Sequence, residues 1–291
     1  MTNQKKNKPN HTVKPRLAYE DHRFLRSADA RTLRIASEYL EPLSRLRRAG
    51  VQNTVVFFGS ARILSREDAL RQLRELTKRR KEKGAAAGSA AALRAAHRAL
   101  EMSRYYEEAR ELARLITEWS LSFGSGPHFL VVCSGGGPGI MEAANRGARE
   151  AGGKTIGLNI MLPREQFVNP YVSPELCFLF RYFFMRKLWF AYPARALMVF
   201  PGGFGTMDEM WEFLTLVQTH KIGRRITILL YGSKYWKKAV NFNSFLETGT
   251  VVEDDMKLLR FVDSPQEAFR ILKENLSRDR AFRAPQKLPF V

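Results

Sequence analysis

A Rossmann-like, doubly wound α/β fold with a parallel sheet, an N-terminal helical arm and a helical insertion is what these 291 residues predict. Three observations lead there. Short apolar runs at 129–133, 155–160, 196–200 and 226–231 alternate with stretches of helical composition. Two of those runs lead straight into glycine-rich turns, Ser134-Gly-Gly-Gly-Pro-Gly139 and Pro201-Gly-Gly-Phe-Gly205. The runs are apolar at nearly every position rather than at every second one, the pattern of strands covered on both faces by helices.

The elements follow in order. Residues 1–16 read as a disordered basic tail, with Pro9 and Pro15 and almost nothing to bury. A helical arm is predicted within 17–50, where Leu33, Ile35, Ala36, Tyr39, Leu40, Leu43 and Leu46 recur at helical spacing, interrupted by Pro42. The run Thr54-Val-Val-Phe-Phe58 is β-branched and aromatic and ends in Gly59-Ser-Ala-Arg62, a strand leading into a turn of phosphate size. The main domain is expected over 51–280, with a helical insertion at 64–119 split by Gly84-Ala-Ala-Ala-Gly88. After Ser134–Gly139 a helix is predicted from Ile140 to Ala151, and after Pro201–Gly205 another through Gln218. Ser264-Pro-Gln-Glu267 starts a last helix through Leu276, with Ser at the cap, Pro at the first position and Glu three beyond. A C-terminal tail is expected at 281–291.

Composition bounds the function. The chain is 45% hydrophobic and 26% charged, enough apolar material for a sizeable core. The start is polar and basic, which predicts no secretory signal, and the apolar run 177–190 is broken by Arg181, Arg186 and Lys187, so no membrane association is expected. Two cysteines, Cys133 and Cys177, provide no disulfide framework or cysteine zinc site and fit a reducing cytoplasm. The net charge is +19, of which residues 1–106 hold 24 Lys and Arg against 10 Asp and Glu, or +14. The run Lys78-Arg-Arg-Lys-Glu-Lys83 carries no interleaved aromatics, so it reads as a solvated helix face, and nucleic acid is not the expected partner.

The chemistry sits in the glycine turns. In an open parallel sheet, ligands bind at the carboxyl ends of the strands. Gly135, Gly136 and Gly137 place side-chain-free residues at a helix N-terminus, where backbone N–H groups and the helix dipole suit a phosphate. The spacing fails the dinucleotide pattern at Ile140, the next strand ends near Asn159 rather than an acid, and no Gly-Lys-Ser/Thr follows. A mononucleotide or sugar phosphate fits better than NAD or ATP. In the second turn, Gly202, Gly203 and Gly205 allow another close approach, while Thr206-x-x-Glu209 has capping-box spacing as well as placing a carboxylate near the ligand. His11, His22, His97, His128 and His220 are scattered without metal-ligand spacing, and neither metal nor other cofactor is expected.

Pro201-Gly-Gly-Phe-Gly-Thr-Met-Asp-Glu209 resembles the P-G-G-x-G-T-x-x-E signature of the LONELY GUY (LOG) family of phosphoribohydrolases, often labelled lysine decarboxylases. Gly135-Gly-Gly-Pro-Gly-Ile-Met141 is similar to the family's first glycine turn, Arg186-Lys187 to its Arg-Lys pair, Pro163-Arg-Glu165 to a substrate-loop segment and Gly59-Ser60 to its opening turn. Where short members carry Met three residues before the Arg, this chain has Phe183; the arm and insertion resemble the long form. The resemblance implies hydrolysis of the N-glycosidic bond of a nucleoside 5'-monophosphate, AMP or a cytokinin riboside 5'-monophosphate, by a homodimer or higher oligomer. It implies Glu209 and Arg186 as catalytic residues and Glu165 as a contact to the ribose. Ser60, Lys187, Thr206 and Thr215 join the glycines in binding substrate. Met207, Met210, Trp211, Phe213, Leu214 and Val217 cover much of the signature helix, as a subunit interface requires. The alternative is a non-catalytic nucleotide- or cofactor-binding carrier.

Overall fold

The computed structural model describes residues 16–83, 89–123, 130–162 and 167–279. The expected basic tail up to residue 15, the glycine split at 84–88, the Pro163-Arg-Glu165 segment and the C-terminal tail lie outside the described residues.

The arm comprises α1 (His22–Arg26) and α2 (Arg31–Arg48), followed by β1 (Thr54–Phe58). The insertion supplies α3 (Arg66–Lys83), α4 (Ala90–Met102) and α5 (Arg104–Leu121). Then come β2 (Val131–Ser134), α6 (Ile140–Glu150), β3 (Thr155–Ile160), β4 (Cys177–Phe180), α7 (Phe183–Ala191), β5 (Ala194–Val199) and α8 (Phe204–Gln218). The chain continues through β6 (Thr227–Tyr231), α9 (Ser233–Ala239), α10 (Phe242–Glu247), α11 (Glu253–Met256), β7 (Leu259–Val262) and α12 (Pro265–Arg278).

The strands form one parallel sheet in the order β4-β3-β2-β1-β5-β6-β7. From β1 the chain builds outward to β4, then returns to pair β5 with β1 and builds the other way. The order therefore reverses between β1 and β5, and a doubly wound sheet opens its crevice at that point. The two strand ends are stitched together there: Phe200 N–H donates to Phe58 O at 2.8 Å, and Ser60 N–H to Pro201 O at 3.0 Å.

Each face of the sheet has its own core. On one side α2, α7 and α8 bring Leu46, Trp189, Phe190, Met210 and Phe213 onto the strands. On the other, α5, α6 and α12 bring Tyr106, Leu112, Ile116, Ile140 and Leu272. The arm is thus part of a core. Pro42 does not interrupt α2, which runs through it with Pro42 buried. A proline has no N–H for the carbonyl four residues back, and that carbonyl, Glu38 O, accepts instead from the Trp189 indole at 2.9 Å. The Glu38 carboxylate accepts from the backbone N–H of Arg181 and Tyr182, tying the arm to the start of α7.

At the opposite end of the sheet Arg195 is fully buried, with Nε donating to Asn53 Oδ1 at 2.6 Å and Nη1 lying 3.2 Å from Asp279. This anchors the end of α12 beneath β5. No helix among the described residues is long and apolar enough to cross a membrane.

Candidate active site

The crevice between β1 and β5 is a cleft of about 760 Å³. Its walls come from the β1 loop (Gly59 to Ile63), the signature turn (Pro201 to Gly205) and α7 (Phe183, Arg186, Phe190). The insertion adds Met102 at the end of α4.

Glu209 stands at the sixth position of α8 and is 3% exposed. This disposes of the capping box that its spacing from Thr206 allows. The helix begins at Phe204, its cap is Gly203 with no side-chain hydrogen bond, and Thr206 is buried against Gly202. Glu209 turns instead to Arg186, whose Nη2 donates to Oε1 at 3.0 Å. One atom on each side is left over: Glu209 Oε2 and Arg186 Nε are buried and have no hydrogen-bond partner among the described residues. Burial raises the Glu209 pKa, and the opposing charges of Arg186 and Lys187 do not cancel it. An ion-paired carboxylate that still titrates above the ordinary glutamate range is dominated by desolvation. Arg186 is held over the rings of Phe183 and Phe190, at 5.3 and 5.5 Å from their centroids, so Phe183 forms part of its seat.

The other residues singled out by the sequence divide into two groups. Gly59, Ser60, Gly135, Gly202, Gly203, Gly205 and Thr206 line the cleft with Glu209 and Arg186. Gly136 and Gly137 do not. Gly136 N–H donates to Ser134 Oγ at 3.0 Å, and Gly136 O and Gly137 O accept from Asn169, through its N–H at 2.8 Å and its Nδ2 at 3.0 Å. Asn169 Nδ2 also reaches Asn145 Oδ1, whose Nδ2 donates to Thr155 Oγ1. The triple-glycine turn is thereby laced into a buried polar network. Even the first amide of α6 is taken, Ile140 N–H donating to Ser60 O at 3.2 Å.

Lys187 faces away from the cleft, with Nζ 2.9 Å from Asp208 and 2.7 Å from Glu212. Thr215 is exposed near the far end of α8, where its hydroxyl donates back to Trp211 O at 2.8 Å. Neither is among the described residues of the cleft wall, and Thr215 lies six residues beyond Glu209 along α8. Glu165 lies outside the described residues. Glu142 accepts from the Tyr106 hydroxyl at 2.7 Å and faces α5. Sequence reasoning passed over Arg62, the only cation besides Arg186 among the described lining residues; its place immediately after Gly59-Ser60-Ala61 was the available signal. Among the described residues no group of His, Cys, Asp and Glu could hold a metal ion.

The fold and the cleft define a Rossmann-like α/β protein with a candidate ligand site at its topological switch point. Residues 141–272 match the family described as "Possible lysine decarboxylase". No curated protein matches the chain. Among solved structures it is similar to the molybdenum cofactor binding protein from the phototrophic bacterium Rippkaea orientalis, at 19% identity over 59% of this chain and 88% of that one, with a TM-score of 0.42. It is also similar to the molybdenum cofactor carrier protein from Chlamydomonas reinhardtii, at 19% identity over 78% of this chain and 99% of that one, with a TM-score of 0.44. Neither likeness carries an argument about ligand or activity.

The family's descriptive name raises pyridoxal chemistry, which needs a lysine amine in the cleft. No lysine is among the described lining residues, and the Lys187 ammonium is engaged by two carboxylates on α8. The residues present do not fit that group.

Proposed function

We propose that the protein hydrolyses the N-glycosidic bond of a nucleoside 5'-monophosphate, AMP or a cytokinin riboside 5'-monophosphate, releasing the free base and ribose 5-phosphate. The observation that carries this reading is the free Oε2 of Glu209, a buried carboxylate oxygen in the wall of the cleft with no partner of its own. Leaving such an atom unsatisfied costs about 1–3 kcal/mol, a cost that a ligand group can recover. Glycosidic cleavage develops positive charge on the sugar, and a carboxylate beside the ribose stabilises it or takes the proton of the attacking water. Water adds to the anomeric carbon, its proton passes to the carboxylate, and the base leaves with the bonding electrons of the C–N bond and is protonated.

Arg186 would hold Glu209 by one oxygen and position the substrate, while the backbone of the signature turn would approach the phosphate. A pure carrier of an anionic nucleotide has little use for a buried carboxylate facing its ligand. That favours hydrolysis over the carrier reading. Incubation with a panel of nucleoside monophosphates, followed by chromatography for free bases, tests it: base release that disappears in Glu209→Gln supports hydrolysis, and tight binding without any release would instead make the protein a carrier.

We further propose a cytoplasmic homodimer. Trp211 and Leu214 of α8 are only half-buried, and with Phe242 and Phe245 they line a second, mostly apolar groove suited to a subunit contact. Light scattering at micromolar concentration gives the answer, and a monomer would remove this part of the proposal.

A further inference from the structure

We propose that Arg62 is the phosphate anchor of the cleft, an assignment that rests on the nucleotide reading above and gives its site a counter-charge. A phosphate in a partly enclosed site needs both hydrogen-bond donors and a cation, and charge-assisted contacts to a guanidinium are among the strongest it can find. The triple-glycine turn is partly committed: its Gly136 amide and the leading amide of α6 are already bound within the protein.

A cluster of uncommitted donors lies at the start of α8. The amides of Phe204, Gly205 and Thr206 donate to no other described residue, and α8 has no side-chain cap. A methyl group built on Gly203 or Gly205 would meet nothing within 4 Å, so the turn is open on that side. A fifteen-residue helix therefore points its positive end into the cleft beside the unpartnered, buried oxygen of Glu209.

Among the described lining residues the uncommitted cation is Arg62. Of the two arginines among the described lining residues, Arg186 is committed to Glu209, whereas the Arg62 guanidinium makes no hydrogen bond or ion pair with any other described residue. Its backbone is nevertheless fixed: Arg62 N–H donates to Ser60 Oγ at 3.1 Å, Ser60 N–H to Pro201 O, and Ser60 O accepts from Ile140. A rigid base with an uncommitted cationic end, beside uncapped amides at the switch point, is an anion subsite.

The test is calorimetric titration of the full chain with inorganic phosphate, ribose 5-phosphate and adenosine. Arg62→Gln should weaken ribose 5-phosphate binding at least ten-fold, Arg62→Lys should restore part of it, and adenosine binding should be unchanged in both. Gly205→Ala should fold normally, since its methyl meets no protein atom, and should also lose phosphate affinity. Equal ribose 5-phosphate affinity in Arg62→Gln and the natural chain would overturn the assignment and leave Arg62 a solvated surface cation. Phosphate binding that needs Arg62, in a chain that releases base from no nucleotide, would uphold the assignment while defeating the hydrolase reading. Absence of binding to all three would defeat both.

Discussion

Arg186 and Glu209, 23 residues apart in sequence, meet at 3.0 Å in the cleft wall with a nitrogen and an oxygen still unsatisfied. A buried orphan atom works against the fold, and at a cleft wall a ligand group can satisfy it. Glu209→Gln keeps the size of the side chain and an acceptor for Arg186 but removes the charge. Turnover should fall about 10²–10⁴-fold while nucleotide binding persists. Turnover and binding measured side by side decide the point, and normal turnover would end the catalytic assignment.

The acidic limb of the activity profile provides a second check. Burial raises the Glu209 pKa, so the carboxylate is protonated, and the proposed hydrolysis silent, at pH values where an exposed glutamate is still ionised. Activity should fall as pH drops through a midpoint above the ordinary value of about 4.3. Lys187 is one of the charges holding that midpoint down, and it also neutralises Asp208 and Glu212, which push it up. Lys187→Gln should therefore move the limb to higher pH without abolishing turnover at its plateau. A limb that does not move would mean that Lys187 serves only to brace α7 against α8.

The sheet was legible because its central strands are short, apolar and followed by glycine turns, as Thr54–Phe58 and Thr155–Ile160 illustrate. β4 was not, because Cys177–Phe180 opens an apolar run that continues into α7, and periodicity does not separate a buried strand from a buried helix over so few residues. β7 was missed for a similar reason: Leu-Arg-Phe-Val is too short to announce itself. At the site, the glycine turns and Glu209 were readable from spacing and family resemblance. Which glycines face the cleft was not, since Gly136 and Gly137 are held in the turn by Asn169, contributed from more than thirty residues away.

Asn169 supports a third expectation. Its amide carries two hydrogen bonds, to Gly137 O and Asn145 Oδ1, in a buried setting. Asn169→Ala would leave both acceptors without that donor, at a cost of about 1–3 kcal/mol, and would loosen the turn that backs the cleft. Thermal unfolding should show the loss, and substrate affinity should weaken although Asn169 is absent from the cleft wall. An unchanged melting temperature would show that the network is not cooperative.

The last prediction concerns Gly147, in the middle of α6 and far from the chemistry. From sequence alone, Ala for Gly inside a helix should stabilise by roughly 0.5–1 kcal/mol, because it reduces the freedom of the unfolded chain. Here the crossing of α5 reverses the sign. A methyl on Gly147 would stand 1.9 Å from Arg110 O, a backbone atom that cannot rotate away, so the helices would have to separate. They are clamped beside that point by Arg110, whose Nε and Nη2 reach the two Glu150 oxygens at 2.6 and 2.7 Å. Gly147→Ala should therefore destabilise by about 1–3 kcal/mol, the usual range for overpacking, with turnover per folded molecule nearly unchanged. Gly223 provides the comparison: a methyl there meets nothing within 4 Å, so Gly223→Ala should be neutral or slightly stabilising. Denaturant unfolding of the two variants reads the difference directly, and a Gly147→Ala protein as stable as Gly223→Ala would mean that α5 and α6 sit further apart in solution than the 1.9 Å approach requires.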